Sequence, residues 1–224
     1  MTPNDFLDLL AADEQRGVEF KNVRARNDTN FPEIAKAVLG MANRRDGGWI
    51  LIGVEDRTRN IEGLSDEQVA SWENPDPVRE KLRQYADPDV WVDVEIVEID
   101  VNGTARKCSV IRVREFDAVP VLCKKAATVR GDEVLRLGAC YVRSRQMPAT
   151  TVVADHAAFR ELLELAVDKG VREFVRRSRQ AELGDDLLAA EELFRRVGEA
   201  HVAERRAADN LELIKAQREK AFES

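Results

Sequence analysis

Glu14, Glu19, Lys21 and Asp56 are the residues whose types and spacing could do chemistry together. Hydrolysis of a phosphodiester by metal ions needs oxygen ligands for magnesium or manganese. Two or three carboxylates on rigid elements supply them and leave positions for water and phosphate. From Val18 to Lys21 apolar and charged residues alternate, the pattern of a half-buried strand. On such a strand Glu19 and Lys21 share one face, and Val18 and Phe20 share the other. A lysine two residues from a ligand on one face can hold a phosphate or orient an attacking water. The plain alternative, which spacing alone favours, is a solvated strand face with a Glu/Lys pair.

These residues need elements to position them. The central stretch is Gly47-Gly48-Trp49-Ile50-Leu51-Ile52-Gly53-Val54-Glu55-Asp56. It predicts a tight turn, a buried strand and an acidic end, with Asp56 or its neighbour Glu55 as the third carboxylate. The helix before it starts near Thr29 or Asn30, has Pro32 in its first turn, and carries the stripe Ile34, Ala35, Val38, Leu39 and Ala42. No Gly-x-x-x-x-Gly-Lys-Ser/Thr or Gly-x-Gly-x-x-Gly occurs there, so no nucleotide cofactor is expected.

Around this centre the pattern predicts helices over 3–12, from Ser65 with Gln68 closing a capping box, and from about 75 to 85. Strands are predicted over 90–101 and 105–114, joined at the hairpin turn Asn102-Gly103. A short extended piece over 120–124, a loop over 124–134 and a strand pair or an irregular strand over 135–142 follow. Beyond about residue 152 the character changes: 155–180 reads as helix, and 185–222 as one long charged helix. The expected organisation is a mixed α/β (α+β) domain over 1–153, followed by a helical region over 154–224.

Composition narrows the function classes. Apolar residues make up 44% of the 224, charged residues 34%, and the net charge is -7. That balance argues against a protein that coats DNA without specificity, and leaves room for a local basic groove. Arg44, Arg45, Arg143 and Arg145 could line one and position a nucleic-acid backbone; Arg24, Arg26, Lys124, Lys125, Arg130 and Arg136 are further candidates. Trp49, Trp72 and Trp91 read as core or half-buried residues rather than base-stacking platforms. Cys108, Cys123 and Cys140 have no paired spacing and there are two histidines, which excludes a zinc cage. Cys123 and Cys140 sit in apolar surroundings and should be inert. The odd cysteine count fits a cytoplasmic protein, and no apolar run is long enough to span a membrane. The helical region over 155–222 is a candidate for homo-oligomerisation.

In order along the chain, Glu14-x-x-x-x-Glu19-Phe20-Lys21, a helix ending Ala42-Asn43, Gly47-Gly48-x-Ile50-x-Ile52-Gly53-Val54-x-Asp56 and Tyr141-Val142-Arg143-Ser144 resemble the Schlafen-type AlbA-like domain. The resemblance covers about residues 5 to 153. It implies a mixed α/β fold and nucleic-acid binding. In animal Schlafens a related core resembles a divalent-metal endoribonuclease acting on structured RNA such as tRNA. Its site uses two glutamates five residues apart and an aspartate after the glycine pair. Glu14 and Glu19 match the glutamates, Asp56 the aspartate, and Lys21 the lysine beside the second glutamate. The resemblance thus implies magnesium or manganese at Glu14, Glu19 and Asp56, and RNA slightly ahead of DNA. The animal cores carry two such lobes and this chain has one, so a dimer built through the tail would supply the second. The alternative is a non-catalytic module that binds nucleic acid or protein within a regulatory or defence complex.

Overall fold

A computed structural model describes residues 1–11, 17–22, 29–144, 149–180, 192, 195 and 196. Glu14, Arg24, Arg26, Arg145 and all of the helix expected over 185–222 except residues 192, 195 and 196 lie outside the described residues.

In chain order the elements begin α1 (Pro3–Ala11), β1 (Val18–Lys21), α2 (Phe31–Ala42) and β2 (Gly48–Ile52). Next come α3 (Asp66–Trp72), α4 (Pro75–Leu82), β3 (Ala86–Asp87), β4 (Val92–Val101) and β5 (Thr104–Val113). Then follow β6 (Leu122–Cys123), β7 (Ala127–Val129), β8 (Asp132–Leu135), β9 (Tyr141–Arg143), β10 (Thr150–Val152) and α5 (His156–Gln180). The fold is the expected mixture of helices and strands.

One four-stranded sheet, in the order β1-β2-β5-β4, divides the core in two. β1 runs parallel to β2, while β5 is antiparallel to both β2 and β4. The pleat sends alternate side chains to opposite faces. Ile50, Ile52, Ile111, Val113 and Val92 pack on one face against Ile34, Val38 and Met41 of α2. Val18, Phe20, Leu51, Val110, Val97 and Ile99 pack on the other with Phe6 of α1. Because Glu19 pairs with Ile50 and Lys21 with Ile52, both charged side chains lie on the α2 face of an edge strand.

The glycine pair works by packing. Gly47 has φ +65°, and a Cβ there would meet the Val113 carbonyl oxygen at 2.0 Å. A Cβ on Gly48 would lie 2.2 Å from the Met41 sulfur. The turn therefore lets β2 enter the sheet directly beneath α2. Asn102 and Gly103, at φ 53° and 77°, make the expected hairpin between β4 and β5. Ser65 caps α3, with its capping box to Gln68 complete.

One expectation needs correction. The stretch over 124–134 contains most of a second hairpin, β7–β8, which turns at Arg130 and Gly131 with φ 53° and 94°. Only the glycine signalled it, because arginine is an unusual residue at positive φ. Where a strand pair or an irregular strand is expected over 135–142, there are the end of β8, a turn with Gly138 at φ 76°, and the start of β9; the two strands pair with β7 and β10 rather than with each other.

The chain divides into one unit over Met1–Lys169 and a second over Gly170–Ser224. In the first, Leu162 and Leu165 of α5 are buried in the α2-side core. In the second, Glu173 takes Arg176 and Arg177, each at 2.7 Å, and these hydrogen bonds hold its carboxyl down to about 2. Among the described residues no helix is long and apolar enough to cross a membrane.

Candidate functional site

The charged face of β1 opens into a cleft of about 330 Å³. Glu19 and Lys21 line it from β1, Glu33, Lys36 and Ala37 from α2, Asp56 from the turn after β2, and Ala149 and Thr150 from the start of β10. Glu19, Lys21 and Asp56 are thus brought to one place, although Asp56 is far along the chain. The parallel pairing of β1 with β2 is the cause: Lys21 stands beside Ile52, and the chain turns at Gly53 immediately afterwards. Asp56 is exposed at the mouth. Glu55 is held within its own turn, where its carboxylate accepts a hydrogen bond from the Thr58 hydroxyl. Between the two acids, Asp56 is the one that lines the cleft.

Glu19 is not a free carboxylate. Its Oε1 pairs with Lys21 Nζ at 2.6 Å, and its Oε2 takes Arg143 Nη1. Arg143 is 1% exposed. It also donates to the Val18 carbonyl at 3.1 Å and to Thr150 Oγ1 at 3.3 Å. The expected role of Arg143 as a phosphate contact is therefore not what its position allows. A buried guanidinium meets the carboxylate it is buried with, and it stands behind Glu19.

The other predicted arginines lie elsewhere. Arg44 Nη1 donates to the carbonyls of Gly47 at 2.7 Å and Arg45 at 3.0 Å, so it stiffens the turn into β2. Arg45 pairs with Asp168 at 2.6 Å, and that hydrogen bond raises its already high pKa. Neither lines the cleft. Glu14 and Arg145 lie outside the described residues.

A divalent ion in the cleft would draw on Glu19 and Asp56. Among the described residues no three acidic, histidine or cysteine side chains come together to hold an ion. Both oxygens of Glu19 already face cations. The described donors alone are an incomplete set for magnesium or manganese.

Some of the site was not legible from sequence. Glu33 and Lys36 fall between the apolar residues of α2, at the helical spacing that turns them together toward Glu19; i, i+3 neighbours share a face. Asn43, 5% exposed, is a cross-link. Its amide donates to Val121 O at 2.8 Å and Tyr141 O at 2.9 Å, and its oxygen accepts from Val121 N at 2.7 Å. It thereby fastens the end of α2 to the residue before Val142 and Arg143. Gly40 completes the assembly: a Cβ there would meet Thr150 Cγ2 at 2.5 Å, so its absence lets β10 lie against α2. The cysteines behave as expected. Burial raises the Cys123 thiol and pushes Cys140 up to about 11.

The fold and cleft define a mixed α/β domain with an acidic and basic notch where an edge strand meets its covering helix. The Schlafen, AlbA_2 family model matches residues 14–147, more than half of the chain, and the chain belongs to that family. No curated protein matches it. Among solved structures it is similar to the crystal structure of the DIP2311 protein from Corynebacterium diphtheriae, at 20% identity and a TM-score of 0.41. The match covers 70% of this chain and 27% of that one, so the chain spans about a quarter of that protein's length.

Proposed function

We propose that this chain binds nucleic acid and cleaves it in the cleft of Glu19, Lys21 and Asp56, as a divalent-metal-dependent endonuclease with RNA preferred over DNA. The reading rests on family membership for nucleic-acid binding in general. For the site it rests on one observation: three of the four residues singled out for hydrolysis, Glu19, Lys21 and Asp56, line a single cleft. Magnesium or manganese held by Glu14, Glu19 and Asp56 would supply Lewis-acid stabilisation of charge on the phosphoryl oxygens. Lys21 and Lys36, on opposite walls of the cleft, bind the scissile phosphate. Arg143 orients Glu19 by charge pairing. The helical region over 155–222 assembles the chain into an oligomer, which brings a second copy of the domain to the same nucleic acid.

A second reading has an observation of its own. Glu19 carries two cations, as a structural ion pair would, and this favours a domain that binds nucleic acid or protein without cleaving it. Cleavage of labelled tRNA and single-stranded DNA with manganese separates the two. The first reading expects cleavage that falls at least 100-fold in Asp56→Asn; the second expects none from either protein.

A further inference from the structure

The sheet has a second functional-looking surface, on the face opposite the cleft. Trp91, Asp93, Arg112 and Arg114 project from it because Val92, Ile111 and Val113 take the α2 side. Trp91 is 52% exposed, which corrects its reading as a core or half-buried residue; Trp72, at 0%, fits that reading. The Arg79 guanidinium stands 4.4 Å from the Trp91 ring centre, and that of Arg114 stands 5.4 Å away. One carboxylate fixes both arginines: Asp93 Oδ1 takes Arg79 at 3.2 Å and Oδ2 takes Arg114 at 3.1 Å. Arg79 Nε also donates to the Val92 carbonyl at 2.8 Å. Beside this group, Arg112 lies 5.2 Å from the Trp49 ring centre. The row therefore runs Trp49, Arg112, Arg114, Trp91, with an indole at each end and two guanidiniums between.

α1 covers this face only in part. The Met1 ammonium pairs with Glu95 at 2.5 Å, two residues along β4 from Asp93. At the end of the sheet, where this face meets the last residue of α2, Trp91 forms one wall of a cleft of about 420 Å³ lined also by Arg79, Arg83, Arg114, Ala42, Val90 and Phe116. Asp89, Glu115 and Asp117 line it as well, but Arg83 takes Asp89 at 3.0 Å and Lys169 takes Glu115. A single nucleobase fits a space of this size.

We infer that Trp91, with Arg79 and Arg114, is a stacking site for an unpaired nucleotide, separate from the β1 cleft. The Arg79 and Arg114 guanidiniums lie over the indole, which is still 52% exposed; a base stacks on the ring surface they leave open, and the two guanidiniums meet the adjoining phosphate. An indole stacks on any base but reaches only one that is out of a duplex, so the site selects single-stranded segments without reading sequence. The inference rests on the reading of this domain as nucleic-acid-binding, and the experiment below separates the two.

Fluorescence anisotropy with the full chain measures binding of a labelled single-stranded 12-mer and of a blunt duplex of the same sequence. The wild type, Trp91→Ala, Trp91→Phe and Lys21→Met are compared. The expected result is that Trp91→Ala weakens single-strand binding about tenfold, the low end for one base–aromatic stack. Trp91→Phe recovers most of the loss, and duplex binding changes less than twofold. Oligonucleotide quenching of tryptophan fluorescence in the wild type is lost in Trp91→Phe. Single-strand affinity unchanged in Trp91→Ala while Lys21→Met weakens it overturns the stacking site and leaves the domain's general role standing. No binding of either probe by the wild type overturns both.

Discussion

Arg143 on β9 and Glu19 on β1, 124 residues apart in sequence, form the joint that closes the back of the cleft. The guanidinium reaches the Glu19 carboxylate, the Val18 carbonyl and the Thr150 hydroxyl together. Its side chain is 1% exposed and that of Glu19 is 12% exposed, so each charge depends on the other for stability in the core. Removing one partner strands the other in a poor solvent. Glu19→Ala should lower unfolding free energy by about 3–5 kcal/mol. The double variant Glu19→Gln/Arg143→Met should recover much of that loss. Urea denaturation followed by circular dichroism measures both; a loss below about 1 kcal/mol in Glu19→Ala would mean that solvent reaches the pair. It also follows that lost activity in Glu19→Ala is ambiguous by itself.

Asn43 is satisfied by backbone groups of Val121 and Tyr141, in both directions. Asn43→Ala leaves these groups buried without partners and should cost roughly 3 kcal/mol. Asn43→Asp should also destabilise, because an ionised carboxylate cannot donate to the two carbonyls. Thermal melts of the two variants test this, and a melting temperature equal to wild type in Asn43→Asp would rule out the donor role.

Gly40 leaves room for Thr150 of β10 against α2. Gly40→Ala should destabilise by about 1–3 kcal/mol through overpacking against Thr150. Adding Thr150→Ala should relieve part of it, since the contact is with the threonine's own branches. If the second substitution makes matters worse, the close approach lies elsewhere.

These residues show why some of the site was legible and some was not. Glu19 and Lys21 could be placed on one face because strand period two is local, and Val18 and Phe20 turned out to fill the opposite core. Asp56 could be placed because the strand leading to it is a continuous apolar run. Arg143 could not: its neighbours look like a strand end, and only the long-range packing of β9 buries it. Lys36 and Glu33 were hidden because an apolar stripe says which face of a helix is buried, not what the remaining residues meet. Trp91 was misjudged for the related reason that tryptophan content signals a core until topology leaves one side uncovered.

Glu115 gives a pH dependence. Burial works to raise its carboxyl, but Lys169, the Asp46 backbone N–H and Arg45 together bring it below its usual value. A carboxyl depressed in the folded state stabilises fully above its unfolded pKa of 4.5 and loses that contribution as pH falls through the lower folded value. Wild-type stability should therefore fall more steeply below about pH 4.5 than that of Glu115→Gln. Urea midpoints between pH 7 and pH 3 check this, and parallel curves for the two proteins would contradict it.

The central claim is that Glu19, Lys21 and Asp56 form a working site. The most direct measurement is manganese-dependent cleavage of labelled tRNA and single-stranded DNA by the full chain, beside Asp56→Asn and Lys21→Met. Asp56 is exposed and Lys21 lies at the cleft wall, so both variants should melt within a few degrees of wild type. A working site gives cleavage by the wild type, at least 100-fold loss in each variant, and unchanged folding. Cleavage at equal rates by all three proteins, or by none, would contradict it.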